Sequence, residues 1–377
     1  MSALKIGFDG SRAFSESKRT GTENYSYYLL KYLARIDHKN QYLIYLRPGS
    51  KVADAWPDNF QFKLIDYPRL WTQIGLAIQT FKDDLDVLFV PAHTVPLVHK
   101  PGLKTIMTVH DLGAEYLPSL HQLKQALYLR AITKFQLKNA TKLIAVSRAT
   151  RLDLIKNGIS EEKIEVVYEG IDLSKFRSPS VKMKKDTLQE YGLVANQYYL
   201  FVGTIQPRKN LARLIEAFAF FLSHQIASGR NQQLVLAGKK GWLADEIYTL
   251  PDKFGIGPQV KFLDFVPDSK ISTLFAGAKA FVYPSLFEGF GLPILEAFAM
   301  GCPVITSNTS SIPEVAGDAA ILIDPYNIEE LAQGLSLVAD KSKVAFLNKQ
   351  AKVQLAKFSW EKCARETLDL LEKVAKK

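Results

Sequence analysis

Cysteine is nearly absent from this chain: Cys302 and Cys363 are the only two in 377 residues. Two thiols exclude a disulfide framework and a cysteine-based metal set. They make a reducing, cytoplasmic setting the default expectation. No apolar run approaches the thickness of a bilayer, and the first residues carry no signal-peptide pattern. Internal repeats and low-complexity tracts are also missing. His93, His99 and His121 show no metal-ligand spacing with cysteines or carboxylates. Acidic residues are the minority, 38 against 48 Lys and Arg, for a net charge of +10. Such an excess suits nucleic acid, an anionic membrane surface or an anionic substrate. The chain has no aromatic-basic RNA-binding motif, zinc finger or helix-turn-helix pattern, so no nucleic-acid partner is expected.

What is present is a regular alternation of short apolar runs with amphipathic stretches, the pattern of parallel α/β layers. The expected strands are 4–8, 42–46, 87–90, 105–109, 142–146 and 164–168, then a second series at 198–203, 234–237, 260–263, 281–283 and 304–306. Between the two series, the stretch after Phe176 (Arg-Ser-Pro-Ser-Val-Lys-Met-Lys-Lys) lacks an apolar period and reads as a linker. The expected domains are therefore 1–177 and 178–359. A last helix begins at Trp360, with Ala364, Leu368 and Leu371 at helical spacing.

Within the second half, Ala280 to Pro284 reads as a buried strand, and a helix is expected from Pro293 to Met300. The turn between them, Ser-Leu-Phe-Glu288-Gly-Phe290-Gly291-Leu292-Pro, carries glycines that permit close backbone approach. It presents backbone N–H groups at a helix N-terminus, suited to a phosphate or a sugar hydroxyl. Glu288 and Glu296 flank it. Carboxylates repel a bare phosphate, so they make sense as hydrogen-bond acceptors for hydroxyls on a sugar and a ribose. Taken alone, the turn could be a structural strand-to-helix connection. A second such place follows the strand ending at Gly203: Arg208 and Lys209 precede a helix over 211–221, with Asn210 as its expected N-cap. Fixed cations in one place and hydroxyl acceptors in the other fit a nucleoside diphosphate sugar.

The segments Phe-Val-Gly203 … Pro-Arg208-Lys209-Asn, Val-Tyr-Pro-Ser285 … Glu288-Gly-Phe-Gly-Leu-Pro-Ile-Leu-Glu296-Ala, Gly301-Cys-Pro-Val-Ile and Ile-Pro-Glu314-Val resemble the family-four retaining glycosyltransferases of the GT-B fold, similar to bacterial mannosyltransferases of surface polysaccharide assembly. The N-terminal half matches more loosely. The resemblance implies an α/β chain of two doubly wound Rossmann-like domains facing across a cleft, with the last helix crossing back onto the first. It implies a retaining, metal-independent hexosyl transfer, with mannose from GDP-mannose as the leading donor, to a glycan or lipid-linked acceptor. The nucleotide sugar is a substrate, and no cofactor is implied. Arg208 and Lys209 would stabilise charge on the departing diphosphate. Glu288 would meet the donor sugar, and Phe290, Gly291 and Leu292 would offer backbone N–H groups. Glu296 would meet the ribose, and Val266, in the stretch leaving the strand 260–263, would border the base. His110, at a strand's carboxyl end, would contact the transferred sugar. Gly21 lies in the loop where the family approaches donor phosphate and acceptor. Two departures stand out: Thr204 follows Gly203 where many members carry an arginine, and Gly21 is single where a glycine pair is common. UDP-sugar transfer and sugar-nucleotide epimerisation are the alternatives within this fold, and a basic binding module is a third reading.

Two further stretches admit more than one reading. Asp84-Leu-Asp86 has the form of a metal-binding Asp-x-Asp, but it precedes a strand and reads as polarity at the strand's start. The segment from His121 to Lys142, with Lys124, Arg130, Lys134 and Lys138, is either a solvated helix face or a peripheral contact with anionic lipid headgroups.

Overall fold

The structure is a computed structural model that describes residues 3–14, 21–67, 69–92, 94–112, 134–224 and 231–376. The chain divides into two compact units: Met1–Gly170 with Phe358–Lys377, and Ile171–Lys357.

The first unit is built on seven parallel strands, β1 (Lys5–Asp9), β2 (Gln41–Leu46), β3 (Phe60–Leu64), β4 (Val87–Val90), β5 (Lys104–Val109), β6 (Lys142–Ala145) and β7 (Ile164–Val166). Their order is β3-β2-β1-β4-β5-β6-β7. The central strands are buried along most of their length, as in parallel sheets covered on both faces. All four residues of β4 and five of six in β5 are buried. The second unit repeats the plan with β8 (Tyr198–Val202), β9 (Gln233–Ala237), β10 (Val260–Leu263), β11 (Ala280–Tyr283), β12 (Val304–Ser307) and β13 (Ala320–Ile323), in the order β10-β9-β8-β11-β12-β13. In each sheet the strand order reverses once, between β1 and β4 and between β8 and β11. Open α/β sheets bind ligands outside the carboxyl strand ends at such a reversal.

Three elements depart from the sequence expectation. β3 and β13 were not anticipated. β3 (Phe-Gln-Phe-Lys-Leu) lies at a sheet edge and is half polar, so it lacks the continuous apolar run of a central strand. The stretch read as a linker is helical over Val181–Glu190, with the Ser180 hydroxyl accepting from the Met183 N–H as N-cap. Only Thr187 and Leu188 of that helix are buried, which is why no apolar period was visible.

The last helix, Trp360–Ala375, belongs to the first unit and packs on the helix Gly21–Ile36. Trp360 stacks on Tyr28 at 5.5 Å between ring centroids and meets Tyr25 edge-on at 5.8 Å. The chain crosses itself closely here: a Cβ on Gly170 would stand 2.1 Å from the Trp360 backbone nitrogen. Only glycine fits beneath that crossing. Among the described residues, no helix is long and apolar enough to cross a membrane.

Candidate active site

In the second unit the chain after β8 and the chain after β11 meet at the point of strand reversal. Gly203 leaves β8, and a short 3-10 turn, Pro207–Lys209, precedes the helix Leu211–Ser223. Proline presets the turn. The junction is Asn210, in the left-handed region at φ 60°. Asn210 holds the expected N-cap position but not the expected chemistry. Its amide donates to the Pro325 carbonyl at 2.6 Å and its oxygen accepts from Arg213. The helix start is thereby tied to the neighbouring loop instead of being capped by a side chain.

After β11, the loop Pro284–Gly291 carries Glu288 to the same place. The Leu286 N–H donates to the Arg208 carbonyl at 2.9 Å, and Arg208 Nη1 donates to the Phe287 carbonyl at 2.7 Å. These bonds strap the two segments together. Arg208 Nη1 lies 2.9 Å from Glu288 Oε2, and Lys209 Nζ lies 2.5 Å from Glu288 Oε1. Lys209 also donates to the Tyr283 hydroxyl at 2.6 Å. The two cations and the carboxylate, which the sequence reading sets in separate places, form one cluster.

Lys209 and Glu288 are each 7% exposed. Burial alone would raise the Glu288 carboxyl; Lys209 and then Arg208 more than reverse it, and the group is lowered to about 2. It is ionised at neutral pH. Burial first, and Glu288 next, hold the Tyr283 phenol well above its ordinary value, so it stays protonated beside the cation. The cluster carries two fixed positive charges against one negative charge in a place largely closed to water.

A series of hydroxyls from β12 and the segment after it fixes the shape of the Glu288 loop. Thr306 donates to the Tyr283 carbonyl, Ser307 to Ser285, Thr309 to Leu286, Ser310 to Glu288, and Ser311 to both Glu288 and Phe290. The loop ends at Gly291, whose φ of 115° suits glycine. The helix that follows is Leu292–Ala299, with Pro293 in its first two positions. Phe290 is buried, as packing.

Glu296 projects from that helix and is half-buried. Burial, aided by Asp268 and opposed by Lys175, pushes its carboxyl up to about 7. Lys175 and Asp268 lie 3.6 Å apart. Val266 is buried just beyond the carboxyl end of β10.

In the first unit, His110 follows the carboxyl end of β5. Its Nδ1 lies 3.2 Å from Glu169 Oε1 and its Nε2 3.1 Å from the Pro91 carbonyl oxygen. Tyr25 packs edge-on against the ring at 4.6 Å and shares a 3.2 Å hydrogen bond with Thr108. Glu169 lies beyond the carboxyl end of another strand, β7, and no motif in the sequence marks it. Gly21 is exposed at the start of its helix, and among the described residues nothing lies within 4 Å of where a Cβ would sit. Lys18, Arg19, His93, His121, Lys124 and Arg130 lie outside the described residues. Within the basic segment, residues 134–139 are helical and Lys142 opens β6.

Asp84 and Asp86 precede β4, at its amino end. Asp86 accepts from the Lys5 N–H at 2.7 Å, and Asp84 pairs with Lys100 at 2.9 Å. Among the described residues no group of three or more His, Cys, Asp or Glu is placed to hold a metal ion.

The family described as Glycosyltransferase Family 4 matches residues 19–175, and that described as Glycosyl transferases group 1 matches residues 184–354. O-antigen chain mannosyltransferase B of Escherichia coli is 32% identical over 273 residues, covering 71% of this chain and 69% of that protein. Serotype-specific mannosyltransferase WbdA of the same organism is 27% identical over 295 residues, 74% of this chain; the match spans only 34% of that longer protein. Among solved structures, Anabaena HepE in complex with UDP and glucose superposes with a TM-score of 0.74 at 20% identity, covering 98% of this chain and 100% of that one. At that identity the likeness is one of fold.

Proposed function

From the chain's membership of the family-four glycosyltransferases of the GT-B fold, we propose that this transferase moves mannose from GDP-mannose to a glycan or lipid-linked acceptor, with retention of anomeric configuration and without a metal. The observation that carries the reading is the triangle of Arg208, Lys209 and Glu288 at the sheet's reversal point. On donor binding, the diphosphate takes over the two cations and Glu288 turns to the hydroxyls of the sugar. As the bond from the anomeric carbon to the phosphate oxygen breaks, negative charge grows on the diphosphate. The cations are already in place to meet it, so the interaction strengthens towards the transition state. That charge supply stands in for a metal ion. The acceptor oxygen bonds to the anomeric carbon on the face the phosphate leaves, and the acceptor's proton passes to the phosphate.

Glu296 is the proposed partner of the ribose hydroxyls, with Gly291, Leu292 and Val266 lining the rest of the donor. His110 is the proposed polar contact of the first unit for the transferred sugar, and Gly21 its backbone approach. Mannose is supported by the mannosyltransferase relatives. UDP-glucose remains the competing donor because HepE, of the same fold, was solved with UDP and glucose. A panel of GDP- and UDP-sugars, scored by nucleotide release with and without acceptor, tests the donor. Proton NMR of the first-formed product reads the anomeric configuration. Nucleotide release that depends on a UDP-sugar would replace GDP-mannose, and inversion would overturn the retaining step. A changed sugar nucleotide formed without acceptor would make the chain an epimerase.

A further inference from the structure

We infer that Ser310 and Ser311 are positioning residues for Glu288, an inference that rests on the reading of Glu288 as the sugar-facing carboxylate. Ser310 holds the Glu288 backbone from both sides. Its Oγ donates to the Glu288 carbonyl at 2.6 Å and accepts from the Glu288 N–H at 3.3 Å. To do so it sits at φ 56°, a left-handed conformation in which a side chain is uncommon. Ser311 is fully buried, and its hydroxyl bridges the Glu288 and Phe290 carbonyls at 2.9 and 2.8 Å. The two hydroxyls thus make three bonds to the backbone of one residue and a fourth beyond the intervening Gly289. Thr309, bonded to the Leu286 carbonyl, extends the clamp towards Arg208.

The physical case follows from the charge exchange. Without donor, Glu288 is held by the cations themselves. Once a diphosphate takes Arg208 and Lys209, those ion pairs no longer locate the carboxylate. The hydroxyl clamp grips the main chain, not the carboxyl, so it persists through the exchange and keeps Glu288 aimed. Small displacements of a positioning group cost rate steeply.

The test uses the full chain with Ser310→Gly, Ser311→Ala, Ser311→Thr and, in parallel, Glu288→Gln. Steady-state kinetics with the donor identified by the panel give kcat and KM. Titration with the nucleoside diphosphate alone gives Kd, and amide hydrogen exchange over residues 286–290 is followed without substrate. Ser310→Gly and Ser311→Ala should lower kcat roughly tenfold, with Kd held within about threefold and the Glu288 amide exchanging faster. Ser311→Thr, which keeps a hydroxyl, should recover most of the loss. Glycine is at home at φ 56°, so Ser310→Gly removes the hydroxyl without adding strain and carries the test if Ser311→Ala does not fold. Wild-type kcat in Ser310→Gly overturns the inference, whether or not exchange quickens, because a purely structural hydroxyl would leave turnover intact. A fully active Glu288→Gln sinks the underlying reading of the site. An inactive Glu288→Gln beside fully active serine variants sinks the positioning role alone.

Discussion

Lys209 and Glu288, 79 residues apart in sequence, are joined by a 2.5 Å ion pair in the interior of the second unit. The cation proposed to receive the diphosphate is paired with the carboxylate proposed to receive the sugar. Lys209, and then Arg208, keep the Glu288 carboxyl ionised where burial would otherwise favour neutrality.

Arg208→Ala or Lys209→Ala should lower kcat by roughly 10²–10³-fold, the loss typical of removing one preorganised charge-stabilising donor. Lys209→Ala should also lower thermal stability more than Arg208→Ala, because Lys209 is the more deeply buried partner. Kinetics and calorimetric melting of the purified variants check both; near-normal kcat in the two would remove them from the mechanism.

Stability should have an acid limb set by Glu288. Its folded pKa of about 2 lies below the ordinary carboxylate value of 4.5. The contribution is therefore complete above the ordinary value and lost as pH falls through about 2. Urea unfolding between pH 5 and 2 should show a decline that is shallower in Glu288→Gln. An identical slope in both proteins would mean the ion pairs contribute nothing.

Glu296 should act with the opposite sign. Its carboxyl is raised to about 7, so its contribution is intact below about pH 4.5 and is lost as pH rises through about 7. Glu296→Gln should gain stability relative to the parent at pH 8 and not at pH 4. The ionised carboxylate is the better acceptor for ribose hydroxyls, so nucleoside diphosphate affinity should rise from pH 6 to 8 in the parent and stay flat in Glu296→Gln. Glu288→Gln should bind the same nucleotide at least as tightly as the parent, since that ligand lacks the sugar and the variant's side chain no longer competes as an anion for Arg208 and Lys209. Urea unfolding at pH 4 and 8 reads the stability difference and calorimetric titration the affinities; equal affinities in the two glutamate variants would remove the ribose assignment.

Turnover should survive excess EDTA, because Asp84 and Asp86 are engaged with Lys100 and the Lys5 backbone at the amino end of β4. Loss of turnover on chelation, restored by Mn²⁺ or Mg²⁺, would show that a metal is needed.

Gly170→Ala should destabilise the first unit severely, since the added Cβ would stand 2.1 Å from backbone that cannot give way as a side chain can. Melting temperature and near-ultraviolet circular dichroism, which reports the Trp360 environment, would reveal an unperturbed crossing if this is wrong.

Much of this architecture was legible in the sequence because the central strands of a parallel sheet are buried on both faces. Val87 to Val90, buried at every position, matches the expected bounds to the residue. Elements with one solvated side left no such run: the edge strand at Phe60–Leu64 and the surface helix at Val181–Glu190, whose Ser180 cap was the one available signal. The residues of the cluster were legible as types at strand ends, but their pairing was not. Nothing in the spacing of Arg208, Lys209 and Glu288 says that the loops carrying them are strapped together. The hydroxyls from Thr306 to Ser311 carry no sequence signal of their role, because hydroxyl-to-carbonyl bonding over about 22 residues has no sequence period.

The return of the last helix to the first unit also sets an order of birth. Residues 171–357 are an uninterrupted stretch, while the first unit is assembled from 1–170 and the final residues after 357. A ribosome therefore releases the whole of the second unit before the first has received Trp360. Until then Tyr25 and Tyr28 lack the aromatic partner they pack against in the finished protein. The half that is translated first is the half that must wait.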